Sequence, residues 1–279
     1  MKQRSVKYNK LDMGKKKVYG KCRVCGEEKQ LTQEHYIPRS AGGGAKITLY
    51  SGDELIKTLH KDEDGNDYKP RGKIKQNGLS EYTLCKECNE LSGVLYDKEF
   101  ARFHNGVHHI LTSSIKIPAG QTMGDYLDSK VVTMVLQGIK PLNIAKRMLV
   151  SFCSVEHPGL TERRPEIRKA ILDKNYQPNT DNFALYMSLH LGNSAYYGTV
   201  GVLKNIGGNH ITQAYAGIEN ELIAFYYSGD KGTKAVGLEN CTDITPWLTR
   251  YKYDQAATVK LELMFNKSLN IRFPIGANA

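Results

Sequence analysis

The sequence predicts an α+β fold in two parts: a small cysteine-containing module, then a larger segment of helices and an antiparallel sheet. Two pairs of cysteines with a strand-like run between them predict the first part. Short runs of alternating apolar and polar residues after residue 183, separated by turn-forming residues, predict the sheet of the second part. The 279 residues are enough for one or two domains with a substantial core.

The cysteine pairs have the spacing of a zinc site. Cys22 and Cys25 form the first C-x-x-C pair, and Cys85 and Cys88 form the second. Four thiolates complete the tetrahedral coordination sphere of Zn²⁺, so the ion would be structural and would have no open position for a substrate. The other two cysteines of the chain have no ligand-like spacing, and we expect plain thiols there.

Local patterns predict the remaining elements of the first module. Residues 30–36 alternate as a short strand, and residues 45–80 have strand-like ends around a polar centre, which indicates an insertion. The glycine run 42–44 predicts a turn between them. From residue 86 onward apolar residues recur at helical spacing.

A run of Pro, Gly and small polar residues at 112–122 predicts the boundary between the two parts. The predicted divisions are a basic arm at 1–17, a first domain at 18–112 that contains the insertion 45–80, and an α+β domain at 123–279. The role of the last domain is open among sensing, targeting and oligomerisation.

The second part is predicted to begin with helices. We expect helix over 126–155, interrupted at Pro141, and a short helix over 165–172 with proline in its first turn. The alternating runs that follow predict an antiparallel meander, and residues 259–265 and 269–273 predict a last hairpin. Helices packed on such a sheet give the α+β class.

Positive charge is concentrated at the N-terminal end. The net charge is +10, and residues 1–23 hold nine lysines and arginines against one aspartate. A basic arm beside a zinc module is suited to contact with a phosphate backbone, and a solvated tail has the same composition. We predict nucleic-acid contact by the basic residues nearest the first cysteine pair, Lys15, Lys16, Lys17, Lys21 and Arg23.

Composition is that of an ordinary globular protein, with 40% hydrophobic and 24% charged residues. No apolar run approaches the roughly 18 residues that span a bilayer, and the first residues lack the apolar stretch of a signal peptide. Six cysteines in this length are too few for a disulfide scaffold. We therefore expect a cytoplasmic protein with no membrane contact.

Three polar residues lie close to the cysteines in sequence. Glu34 and His35 follow the first pair, and Asn89 comes directly after Cys88. A zinc ion would bring the strand with Glu34 and His35 against the start of the helix with Asn89. Hydrolysis of a phosphodiester needs a base that activates water and a divalent ion that stabilises negative charge. His35 can be the base, and Glu34 and Asn89 offer oxygen ligands for Mg²⁺ or Mn²⁺.

These residues together resemble the HNH nucleases of the ββα-metal class, in the branch with a zinc ribbon. The resemblance covers about residues 18–100, and its elements are the two cysteine pairs, Glu34-His35, Ile37-Pro38, the glycines 42–44 and Asn89. It implies that His35 is the general base and that Glu34 and Asn89 bind the catalytic Mg²⁺ or Mn²⁺. It implies structural zinc on the four cysteines, hydrolysis of DNA to 5′-phosphate and 3′-hydroxyl ends, and a phosphate contact by Arg39.

The chain departs from the family pattern in three places. The insertion 45–80 is longer than usual, and Glu34 stands where aspartate is commoner. The family has a middle asparagine that steadies the catalytic loop by hydrogen bonding. Ser80 falls near that place in this sequence, and Asn77 is close by.

Three functions stay open from the sequence. The main prediction is an HNH endonuclease acting on DNA, in a layout similar by analogy to effectors of antiphage defence or restriction. The second is a non-catalytic zinc-ribbon adaptor that binds nucleic acid or protein. The third is a nuclease subunit that works only with a partner such as an ATPase. A regulatory protein, an activating ligand and a second copy of the chain are further candidate partners.

Overall fold

The structure is a computed structural model with a mixed α+β fold of antiparallel sheets and helices, which confirms the predicted class. It describes residues 17–49, 54, 57, 68–116, 119, 126, 130–155, 159–190, 196–206, 209–220, 222–229, 238 and 240–264. Within those residues, no helix is both long enough and apolar enough to cross a membrane.

In the residues that the structure describes, the first part contains five short strands. They are β1 (Val18–Lys21), β2 (Glu28–His35), β3 (Ile47–Leu49), β4 (Lys73–Lys75) and β5 (Ser80–Cys85). β1, β2 and β5 make an antiparallel sheet in the order β1-β2-β5, and β3 pairs with β4. The predicted strand at 30–36 and the strand-like ends of the insertion are confirmed. Residues 50–53, 55–56 and 58–67 of the insertion lie outside the described residues.

A continuous helical segment follows β5. It consists of α1 (Lys86–Ser92), a π-helical turn (Gly93–Asp97) and α2 (Lys98–Ser114). A π-helical turn inserts an extra residue into the helical repeat, so it rotates the side chains that follow it around the helix axis. Such turns recur at functional sites, and this one ends at Asp97.

The predicted helix over 126–155 is wrong in its first half. Residues Val131–Ile139 form strand β6, and helix α3 (Pro141–Val155) begins at the proline. Proline is well tolerated there because the first N–H groups of a helix have no intrahelical partner. β-Branched residues are frequent in β6, and the burial of Met134 and Leu136 but not Val135 follows the period of a strand.

The remaining elements form the second part. They are α4 (Leu160–Arg163), α5 (Pro165–Leu172), β7 (Ala184–Leu189), β8 (Tyr196–Ile206), β9 (Asn209–Asn220), β10 (Ile223–Ser228), β11 (Thr242–Asp243), α6 (Trp247–Arg250) and β12 (Ala257–Met264). The predicted helix at 165–172 is confirmed, with Pro165 in its first turn.

The sheet of the second part is not the predicted simple meander. Its order is β11-β7-β10-β9-β8, so β7 pairs with β10 and not with its neighbour in sequence, β8. Every residue of β7 and of β10 is buried, which favours interior positions for both strands. β12 pairs with β6 in a separate two-stranded sheet, and the predicted partner at 269–273 lies outside the described residues.

One hydrophobic core runs through both parts. Its members include Cys88 and Val107 of the first part and Phe152 and Phe225 of the second. Helix α3 lies at its centre, because all its residues from Pro141 to Ser154 are buried. The predicted division into domains stays a prediction, and the parts on either side of it share this core.

Tyr96 gives a direct test of the packing between the two parts. Its buried hydroxyl donates a 2.9 Å hydrogen bond to the carbonyl of Ile171 in α5. Tyr96→Phe leaves that carbonyl without its donor, so we expect the free energy of unfolding in urea to fall by about 1–3 kcal/mol. Tyr82→Phe, at a side chain 44% exposed on β5, is the matched control and should change it by less than about 0.5 kcal/mol. Equal losses in the two variants would contradict the prediction.

Candidate functional site

The four cysteines of the C-x-x-C pairs come together beside the three-stranded sheet. Their sulfur atoms all lie within 4.8 Å of one another, and the Sγ atoms of Cys25 and Cys85 are 3.9 Å apart. Sulfurs that surround zinc tetrahedrally at about 2.3 Å are roughly 3.8 Å apart. The cluster therefore fits a metal ion such as zinc, as the sequence predicts.

Local backbone geometry forms both halves of this cluster. In the first half, the N–H of Gly26 donates to the carbonyl of Cys22 and closes a tight turn. In the second half, Cys85 ends β5 and Cys88 lies in the first turn of α1. The N–H of Cys85 donates to the Sγ of Cys22 at 3.3 Å. The hydrogen bond with Cys88 is the largest cause that lowers the pKa of Cys22, to about 4.

An irregularity in the sheet separates the cysteine cluster from the end of β2. The register between β2 and β5 shifts after Thr32, so that Thr32 lies opposite Leu84 but Gln33 lies opposite Tyr82. The extra residue in β5 is Thr83, whose carbonyl accepts a hydrogen bond from the N–H of Arg23. β-Bulges of this kind re-aim the side chains beyond them and are common beside functional sites.

Beyond the bulge lies an open pocket of about 310 Å³. The polar residues that line it are Gln33, Glu34, His35, Arg39, Ser40, Asn89, Asp97 and Arg147. Four of these were predicted from sequence to lie in one site, and the structure brings them together. Asp97 and Arg147 were missed. Two sequence signals could have found them. Asp97 lies about two helical turns after Asn89, and Arg147 is one of two cationic residues in the mostly apolar helix α3.

His35 is buried at the end of β2, where its ring contacts two groups. Nε2 lies 2.9 Å from the carbonyl oxygen of Asn77 and 3.2 Å from the Nε of Arg39. The carbonyl of Asn77 can only accept, so a hydrogen bond there requires the proton on Nε2, and in that tautomer the approach of the Arg39 N–H is not a hydrogen bond. Nδ1 is then the nitrogen with the free lone pair. Burial first, and the charge of Arg39 second, lower the pKa of His35, so its ring is neutral at pH 7.

Asn77 is the residue of the insertion's end that contacts His35, and it does so through its backbone carbonyl. Ser80 pairs with His35 across the strands, and its hydroxyl accepts a hydrogen bond from the Nε2 of Gln33. Of the two candidates for the family's middle asparagine, Asn77 thus touches the predicted base directly.

Glu34 is buried against Arg147. The Nη2 of Arg147 lies 2.7 Å from the Oε1 of Glu34, and the side chains are 1% and 6% exposed. Burial raises the pKa of Glu34, and the positive charge of Arg147 opposes that shift. The guanidinium stays charged and donates to this oxygen of Glu34.

Asn89 presents its amide in a defined orientation. Its Nδ2 donates to the Oγ1 of Thr32 at 2.9 Å and approaches the carbonyl of Gln33 at 3.4 Å. Because Thr32 itself donates to the carbonyl of Leu84, it must accept from Asn89. These bonds engage the nitrogen and not the oxygen of the amide. Glu34, Asp97 and Asn89 thus bring side-chain oxygens, the ligands that Mg²⁺ and Mn²⁺ prefer, to one pocket.

The predicted nucleic-acid-binding residues have different surroundings. Lys15 and Lys16 lie outside the described residues, and Lys17 is exposed just before β1. Lys21 forms an ion pair with Glu162, and the guanidinium of Arg23 donates to the carbonyl of Ser154 at 2.6 Å. Lys21 and Arg23 therefore hold the first part against α3 and α4. Arg39, in contrast, is exposed at the pocket.

Comparison with known proteins found no match for this chain among protein-family models, curated proteins or solved structures. The roles of the pocket residues therefore stay predictions, which depend on the residues and their geometry.

Replacing one cysteine tests the metal centre. We expect Cys88→Ser to lower bound zinc from one ion per chain to well below one, because a hydroxyl is a poor zinc ligand. Elemental analysis of the purified chain measures the stoichiometry. Cys153→Ser removes a buried thiol outside the cluster and is the matched control, which should keep its zinc. Equal zinc in both variants would show that the cluster is not the binding site.

Gly78 directly follows Asn77, whose backbone carbonyl contacts the ring of His35. Its φ is +65°, and an added Cβ would lie 2.0 Å from the carbonyl oxygen of Gly43. Backbone strain at such a φ costs about 1–3 kcal/mol, and the clash adds to that cost. We therefore expect Gly78→Ala to lower the free energy of unfolding by more than the strain alone. Gly42→Ala is the control, because φ there is +87° but nothing lies within 4 Å. A urea titration that ranks Gly42→Ala as equally destabilising would contradict the clash.

Proposed function

We propose that this chain is a metal-dependent endonuclease of the HNH type that hydrolyses phosphodiester bonds in DNA. The observation that carries the proposal is the convergence of Glu34, His35 and Asn89 on one pocket. These residues come from β2 and α1, and β2, β5 and α1 have the strand-strand-helix order of the ββα-metal class. The cysteine cluster lies at the junction of the same elements.

In this proposal His35 is the catalytic base. Its Nε2 proton is directed to the carbonyl of Asn77, so Nδ1 is available to take a proton from an attacking water. A neutral ring with one fixed nitrogen is already in the tautomer that the reaction needs. The buried position of His35 restricts the ring and keeps it at the end of β2.

The other pocket residues would bind the substrate and the ion. Glu34 and Asn89 would hold a Mg²⁺ or Mn²⁺ ion, and Asp97 lies beside them. When bound, such an ion stabilises negative charge on the phosphate and the departing oxygen. Arg39 is exposed at the same pocket and carries a planar guanidinium, which can bind two phosphate oxygens at once.

The cysteine cluster has a structural role in this proposal. A four-thiolate zinc site leaves no coordination position for water or substrate. Zinc bound there would fix the end of β5 and the first turn of α1, and Asn89 follows Cys88 directly. The ion would thus hold Asn89 at a constant distance from β2.

Plasmid cleavage by the zinc-loaded chain with Mg²⁺ or Mn²⁺ tests the proposal. We expect His35→Ala to slow cleavage by about 10²-fold or more, because the water loses its base, and we expect EDTA to abolish it. His109→Ala, at an exposed histidine of α2, is the matched control and should cleave as the unmodified chain does.

Three results would contradict different parts of the proposal. Cleavage by His35→Ala at the unmodified rate would exclude His35 as the base. DNA binding without cleavage, by a folded chain with zinc and Mn²⁺ present, would favour the adaptor, and cleavage that begins when a partner protein is added would favour the partner-dependent subunit.

A further inference from the structure

The buried guanidinium of Arg147 makes several hydrogen bonds, and three of them reach residues of the pocket. Its side chain is 1% exposed, and its Nη2 donates to the Oε1 of Glu34 and to the carbonyl of His35, at 2.7 and 2.9 Å. Its Nε donates to the Oδ1 of Asp97 at 2.5 Å. Its Nη1 donates to the hydroxyl of Ser151, which in turn donates to the carbonyl of Tyr36.

These contacts fix Glu34 and His35 at the end of β2, and Tyr36 directly after it. Arg147 holds the side chain of Glu34 and the backbone of His35, and through Ser151 it holds the backbone of Tyr36. All of these bonds start from α3, which belongs to the second part of the chain. Contacts from the second part therefore add to the pairing of this strand end with β5.

The neighbouring cation of α3 shows that burial alone does not create this arrangement. Lys146 is fully buried too, but its Nζ donates to the carbonyls of Asp173 and Lys174, away from the pocket. Lys146 contacts backbone, whereas Arg147 contacts two carboxylates. A guanidinium can bridge several acceptors in one plane, and an ammonium at position 147 could not reproduce that fork.

We propose that Arg147 is a positioning residue of the pocket, which orients Glu34 so that a divalent ion binds there only when α3 is docked on β2. The ion's place at Glu34 rests on the proposed nuclease function. The guanidinium engages Oε1 of Glu34, so the second oxygen of the carboxylate is the one available to an ion. When a residue that hydrogen-bonds to a metal-ligating carboxylate is replaced, metal affinity or activity typically changes 10–100-fold.

Direct binding of Mn²⁺ to the zinc-loaded full chain tests this role without requiring activity. The paramagnetic resonance signal of free Mn²⁺ gives the dissociation constant. We expect Arg147→Lys to raise that constant about 10–100-fold, because the lysine keeps the charge but cannot orient Glu34 and Asp97 together. Lys146→Met, which removes the adjacent buried cation, is the matched control and should bind Mn²⁺ as the unmodified chain does.

A double variant separates positioning from general damage to the fold. If Arg147 acts through Glu34, its replacement should weaken Mn²⁺ binding much less in the Glu34→Gln background than in the unmodified chain. Independent, additive effects of the two changes would overturn the proposal. The double variant also serves if Arg147→Lys alone fails to fold, because it removes the buried carboxylate that would otherwise lose its partner.

The outcomes distinguish this proposal from the proposed nuclease. Unchanged Mn²⁺ affinity in folded Arg147→Lys would overturn the role of Arg147 and leave the nuclease standing. Mn²⁺ binding that depends on Glu34 and Arg147, in a chain that cleaves no DNA, would overturn the nuclease and leave the positioning role standing. Absence of Mn²⁺ binding by the unmodified chain would overturn the ion site and with it the role of Arg147.

Discussion

The buried ion pair between Arg147 and Glu34 is the interaction on which the rest of this structure depends. It joins the centre of α3 to the end of β2, and both side chains are nearly inaccessible to water. Removal of one partner from such a pair leaves an uncompensated buried charge, at a cost of about 3–5 kcal/mol. Asp97 and Ser151 accept further hydrogen bonds from the guanidinium, which makes its burial tolerable.

Strand β2 is held at two places by different chemistry. Near its middle, Leu31 lies opposite Cys85, so the metal-binding cluster constrains the strand there. At its end, α3 constrains it through buried hydrogen bonds. The bulge between these places lets the two constraints coexist, because it changes the direction of the side chains that follow Thr32. In the proposed nuclease, this division separates the structural ion from the reacting one.

Features that depend on short segments of the sequence could be predicted from it, whereas features that depend on contacts between distant residues could not. The cysteine cluster and the place of Asn89 could be predicted, because ligand spacing and the adjacency of Cys88 and Asn89 are properties of short segments. Arg147 could not, since it lies 112 residues from His35 and no pattern links the two. The strand Val131–Ile139 was mistaken for helix because its partner, β12, lies far along the chain and apolar residues alone do not distinguish the two structures.

The pairing of β3 with β4 makes the intervening segment a natural place for variation. Its ends meet where Leu49 lies opposite Lys73, so the segment leaves and rejoins the module at one point. Each doubling of a flexible loop costs only about 0.6 kcal/mol of closure entropy. In the proposed nuclease, a change in the length of this segment would therefore leave the pocket residues in place.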